Sequence, residues 1–204
     1  MAFKRCYCCL PAVFLLVLVL QCSGCARYAQ QINMLYEPVV GQRGGAGDLF
    51  VTIPASTVRQ GEEVVWIIGD VLDNDGKVID HLTSPRSPAE LVQAALTQEL
   101  NQAGYNVIAA PSPRPQADRA VEVSRVELAL DQVSALADVK ATCKLVVAIT
   151  IRQNGTVVRK LQYEVKQTKT DIADRDLLVR EVFRAAMRAA MRQAVPEIMK
   201  VLGQ

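Results

Sequence analysis

The chain is poor in residues that do covalent chemistry. His81 is its one histidine, so a His-rich metal site cannot be built and a nucleophile–His pair could form only there; beside a turn, His81 reads as an exposed hairpin-end residue. Asp70, Asp73, Asp75 and Asp80 gather around Gly76, where paired carboxylates could share acid–base work or imitate a calcium loop. The calcium reading fails on position, because Val71 stands where such a loop opens and Leu82 where a Glu should close it. Turns recruit Asp to bond their own backbone, and that account covers the cluster. Gly41, Gly44, Gly45 and Gly47 precede a strand-like stretch instead of joining a strand to a helix, so they are no dinucleotide cradle. P-loop and nucleophile-elbow motifs are absent from the sequence, and no paired-cysteine motif occurs beyond Cys25. What stands out is cationic: Arg180, Arg184, Arg188 and Arg192 recur every four residues and wind slowly round one side of a helix. Such a stripe could meet lipid headgroups, glycan or an acidic partner, or be a solvated face with Asp176 and Arg180 paired one turn apart.

The cysteines are chemistry of a different kind. Five of six, Cys6, Cys8, Cys9, Cys22 and Cys25, fall in the first 25 residues. Lys4 and Arg5 precede an eleven-residue apolar run, Leu10 to Leu20, and Ser23-Gly24 puts small residues before Cys25. That is the layout of a secretory signal peptide, too short to span a bilayer that needs about 20 apolar residues. Cys22-Ser23-Gly24-Cys25 resembles the lipobox of bacterial lipoproteins, with Cys22 standing where the family prefers Leu. The resemblance implies a diacylated Cys25 thiol, cleavage just before it and acylation of the new amino group; Ala26 in place of Asp implies the outer membrane, facing the periplasm. A lipid-bearing Cys25 leaves Cys143 alone on the apolar face of a strand, as a small hydrophobe. Removing Lys4 and Arg5 turns a net charge of +2 into 21 basic against 21 acidic side chains, a balance that disfavours nucleic-acid binding.

The 204 residues, half hydrophobic and 22% charged, fit one folded domain. Residues 1–24 are expected as signal peptide and 25–47 as lipidated cysteine and flexible tether. Residues 48–204 are expected as a single α+β periplasmic domain. A tether of about 23 residues would average roughly 26 Å end to end and let the domain stand off the membrane. Strands are expected at Leu49–Ile53, Val64–Leu72 and Lys77–Asp80, with a turn at Asp73–Gly76. The best-marked helix opens on Ser87 with Pro88 first and Glu90 at capping-box spacing. It carries Leu91, Val92, Ala95, Leu96, Leu100 and Ala103 on one stripe and stops at Gly104. A strand at Tyr105–Ala109 leads to an extended loop, Pro111–Pro115. Val121 and Val123 are out of phase with Val126, Leu128 and Leu130, so a bulge is expected near Ser124-Arg125. The strand from Val139 to Ile151 and its return from Val157 to Val165 are best matched by a three-residue loop, Gln153-Asn154-Gly155, setting Ile151 against Val157 and Leu145 against Tyr163. A helix from about Asp174 to Leu202 closes the chain, with Leu178, Val182, Ala186, Ala189, Ala190, Ala194 and Ile198 against the sheet and a kink or split at Pro196.

The lipobox, the turn Asp73–Gly76, the helix end Leu96–Val107 and the hairpin at Asn154-Gly155 together resemble the YajG-like family of bacterial lipoproteins and, more distantly, auxiliary lipoproteins of envelope ABC transporters. The resemblance implies fold and location, with no catalytic residues to carry over. The expectation is therefore a two-layer α+β fold, a mainly antiparallel sheet with two helices on one face. It would serve as a non-enzymatic accessory or binding protein of the envelope. It would hold the membrane through lipid and meet an envelope protein partner, without cofactor, metal or nucleic acid. The alternative is an auxiliary lipid-binding subunit of a lipid transport system, which would need an apolar groove between sheet and helices.

Overall fold

The computed structural model describes residues 30–54, 65–110, 117–134, 138–172 and 175–203. The signal peptide, Cys25 and the Pro111–Pro115 loop lie outside them. Eight strands and two helices follow in the order β1 (Gln30–Gln31), β2 (Asp48–Thr52), β3 (Trp66–Leu72), β4 (Val78–Ser84), α1 (Pro88–Ala103), β5 (Asn106–Ala110), β6 (Arg119–Ser134), β7 (Val139–Gln153), β8 (Thr156–Asp171) and α2 (Arg175–Leu202). The fold is α+β, with both helices on one face of a single sheet. Its antiparallel character rests in the long β6–β7–β8 meander and the β3–β4 hairpin. The other flank of β6 forks into short parallel pairings: Leu130–Val133 takes β3, and Ala120–Glu122 takes β2, which carries β5. A mixed sheet is the result.

Local signals predicted local structure well. The Ser87 hydroxyl accepts from the Glu90 amide at 3.2 Å while Glu90 Oε2 accepts from the Ser87 amide at 2.7 Å, and Gly104 ends α1 at φ 110°, a left-handed conformation that suits glycine. The bulge in β6 falls at Ser124, between the pairs Val123–Ile149 and Arg125–Ala148, and the Ser124 hydroxyl donates to the Ala148 carbonyl. It returns Val126, Leu128 and Leu130 to the helix-covered face.

Two expectations about longer reach are corrected. The β7–β8 turn holds two residues, Asn154 and Gly155, at φ 50° and 75°, the primed geometry that Asn-Gly favours. Parity is repaired in the strand instead: Arg152 pairs with Val157, Val158 bulges, and Ile151 then meets Arg159. Odd residues thus face odd residues, with Leu145 opposite Val165 and Val147 opposite Tyr163, two positions beyond the expected partners. Of the kink or split expected at Pro196, the split does not occur, since α2 continues to Leu202; its buried stripe also takes Val179, Phe183, Met187, Met191 and Val195, while Ala189 is half-buried.

The largest correction concerns the tether. From Gln30 onward the chain belongs to the domain: β1 pairs with β4, and Ile32, Met34 and Tyr36 are buried. Further on, the Gly44 and Gly45 amides donate to the Ala103 carbonyl at the end of α1. The alternation Ile32-Asn33-Met34-Leu35-Tyr36 drives this docking, since each fully buried apolar side chain contributes about 1.5–3 kcal/mol. Cys143 behaves as expected, fully buried among Leu145, Val147 and the α2 alanines; burial, helped by the nearby Asp131, pushes its thiol up to about 12.

Candidate functional site

The arginine stripe lies on α2, and the structure divides it. Arg180 and Arg192 are exposed, whereas Arg184 and Arg188 are half-buried. With Glu181, Ala185, Ala189 and Arg192 of the same helix and Gln167 of β8, they line a depression of about 460 Å³. The short side chains of Ala185 and Ala189 leave the space, and the neighbouring arginine stems wall it. Both carboxylates in reach are engaged: Lys169 Nζ donates to Glu181 Oε2, and Arg188 Nη2 donates to Glu37 Oε2 at 3.2 Å. The Nε atoms of Arg184 and Arg188 are buried and have no acceptor among the described residues. A guanidinium offers five donors in a planar fork that fits carboxylate or phosphate. The depression is thus equipped to take a planar or tetrahedral anionic group.

The arm that carries Glu37 is held by a residue that no motif marked. Glu99 of α1 is 2% exposed, and its carboxylate accepts from the Tyr36 hydroxyl at 2.5 Å, the Val39 amide at 2.7 Å and the Val40 amide at 3.2 Å. It clamps the N-terminal arm onto the helix layer and so places Glu37 beside Arg188. Burial and the hydrogen bond to Glu99 raise the Tyr36 hydroxyl well above its ordinary value, against a lowering pull from Arg188 and Arg192, so Tyr36 stays a neutral donor. Glu99 has a sequence signal after all: it falls four residues after Ala95 and four before Ala103, inside the apolar stripe of α1.

The aspartate cluster does structural work. Asp73 Oδ1 accepts from the Asp75 and Lys77 amides at 3.0 and 2.9 Å, and Asp80 Oδ1 from the His81 amide at 2.8 Å. His81 Nδ1 sits 2.8 Å from Asp70 Oδ1 across the β3–β4 hairpin. Asp70 is also the register partner of Asp131, Asp131 of Thr142, and Thr142 of Thr168, a polar row across five strands on the face without helices. Burial and then the Asp70 charge raise the Asp131 carboxyl above its ordinary value. Among the described residues no three His, Cys, Asp or Glu side chains converge as metal ligands, and no helix is long and apolar enough to cross a membrane.

No family model and no curated protein matches the sequence. Among solved structures, a Xanthomonas campestris protein of family DUF330 superposes with a TM-score of 0.50 at 11% identity, over 87% of this chain and 98% of that one. A minor lipoprotein of Acinetobacter baumannii gives 0.41 at 12% identity, over 79% and 92% of the two chains. The rare lipoprotein B of Shewanella oneidensis gives 0.32 at 14%, over 66% and 92%. The likeness to the first is one of fold alone, and the similar structures include proteins described as bacterial lipoproteins.

Proposed function

We propose that this chain is an outer-membrane lipoprotein, held by lipid on Cys25 and facing the periplasm, that serves the envelope as a non-enzymatic binding protein. The lipobox-like residues 22–25 and Ala26 after them support the location. The observation that carries the binding role is the α2 depression, which Arg184, Arg188 and Arg192 line together. Guanidinium forks fit carboxylates, so an acidic segment of an envelope protein is the partner whose chemistry matches this lining. The lipid-carrier alternative asks for apolar space between sheet and helices. There Cys143, Ala141, Ala186, Met187 and Met191 are packed to complete burial, which favours the accessory role.

The test is capture by crosslinking from intact envelopes, with the mature lipoprotein as bait. Replacing Arg184, Arg188 and Arg192 with Gln should abolish most of the capture while shifting thermal stability little, because partly exposed charges contribute about 1 kcal/mol or less each. Capture by the native protein should also weaken as the Debye length falls from about 30 Å in dilute buffer to about 8 Å at physiological salt. Capture indifferent to both changes would refute the arginine surface.

A further inference from the structure

We infer that the end of the domain formed by Val78, Ile79, Ile172 and Leu177 rests on the phospholipid surface of the membrane that holds the lipid anchor. The inference depends on Cys25 carrying that lipid. Cys25 is five positions before Gln30, a span of at most about 17 Å, and Gln30 is already fixed in the fold by its pairing with Leu82. The tether that would have let the domain stand away is therefore spent on docking. One end of the molecule must lie against the bilayer, and topology selects which. β1 runs parallel to β4, with Gln30 opposite Leu82 and Gln31 opposite Thr83, so it enters from the Val78 end of β4.

The register shows what else is at that end. Val78 pairs with Leu72, Leu72 with Val133 and Val133 with Lys140, while the next row joins Ser134, Val139 and Asp171. The last residue of β8 and the first turn of α2 therefore share this end with the start of β4. Gln30 Nε2 donates to Asp176 Oδ1 at 2.6 Å, which brings the entry point of the chain and the N-terminus of α2 together. Apolar side chains are exposed here: Ile172 at 83%, Leu177 at 51%, Val78 at 45% and Ile79 at 41%. Apolar exposure gathered at one end of a domain suits a surface that meets something apolar, and the anchor specifies what lies within reach. The opposite end, at the Asn154-Gly155 turn, carries its own exposed pair, Val157 and Val158, and supplies the control.

The mature acylated protein would be reconstituted on vesicles of phosphatidylethanolamine and phosphatidylglycerol, with Ile172→Cys or Val158→Cys bearing an environment-sensitive fluorophore. Cys143 is fully buried and stays unlabelled in the native fold. The expected result is a blue shift and protection from aqueous iodide at position 172, with neither at position 158. Protein that floats with the vesicles while the position 172 label stays open to iodide would overturn the contact surface and leave the anchor standing. Equal shifts at both positions, or a shift at 172 that needs added envelope proteins, would overturn it too, the latter by giving this end to a protein partner. Protein that fails to float refutes the anchor, and the contact surface falls with it.

Discussion

Replacing Glu99 with Ala should release the N-terminal arm. The Glu99 carboxylate is the acceptor for three donors drawn from that arm, the Tyr36 hydroxyl and the Val39 and Val40 amides, and it is buried from water. Taking the low figure of about 1 kcal/mol net for each bond, the loss is roughly 3 kcal/mol. At 1.36 kcal/mol per decade that loss raises the open population about 150-fold. Hydrogen exchange at Val39 and Val40 should accelerate by about that factor, and trypsin should cut sooner after Arg43. Amides of β7, whose pairing does not involve the arm, should keep most of their protection. Tyr36→Phe removes one bond of the three and should accelerate the same amides by roughly tenfold or less. Exchange within threefold of the native rate in the Glu99→Ala protein would refute the clamp.

Two further outcomes follow from buried groups. Cys143, fully buried and with its thiol pushed up to about 12, should resist maleimide and disulfide reagents in the native protein and react only on unfolding; reductant should leave the thermal midpoint unchanged, and native-state labelling in full stoichiometry would contradict the burial. Asp131, whose carboxyl is raised by burial and by Asp70, binds its proton more tightly folded than unfolded, so its ionisation costs stability as pH rises past the unfolded value and costs nothing in acid below it. Asp131→Asn should therefore raise the unfolding midpoint slightly at about pH 7 and leave it unchanged near pH 3; an equal change at both would refute the electrostatic origin.

The pattern of what the sequence disclosed follows the range of the interactions. The capping box at Ser87 and Glu90 and the left-handed Gly104 are decided within a few residues, and the phase change between Val123 and Val126 forces the Ser124 bulge wherever the strand pairs. The β7–β8 register could not be read so directly, because a two-residue turn with a bulge at Val158 and a longer loop satisfy the same parity rule. Only the conformations of Asn154 and Gly155 separate the two arrangements. The forked flank of β6 depends on which distant strands arrive beside it, and nothing local to Arg119–Ser134 encodes that. The arm was legible in part: alternation over Ile32–Tyr36 and a lone Glu99 within an apolar stripe are two halves of one contact. Each half alone looks like noise, since the residues are 63 positions apart.

The arm also bears on what the arginines can touch. An α-helix rises about 1.5 Å per residue, so Arg180 stands about 4 Å from Leu177 along the axis of α2, Arg184 about 10 Å, Arg188 about 16 Å and Arg192 about 22 Å. The headgroup layer on one side of a bilayer is only about 5–7 Å deep, and the field of its charges fades over about 8 Å at physiological salt. With Leu177 and Ile172 on the bilayer, Arg180 is at headgroup level, whereas Arg188 and Arg192 stand clear of it unless the helix lies nearly flat. The stripe is then two surfaces. Its lower member belongs with the proposed membrane contact, and the depression between Arg184 and Arg192 stands away from the bilayer, where the proposed acidic partner would reach it. The same division separates the exposed Arg180 from the half-buried pair, Arg184 and Arg188. It also fixes how the Gln replacements should be read: a triple variant that loses vesicle contact but keeps partner capture would mean that α2 lies flat, and both assignments would have to be exchanged.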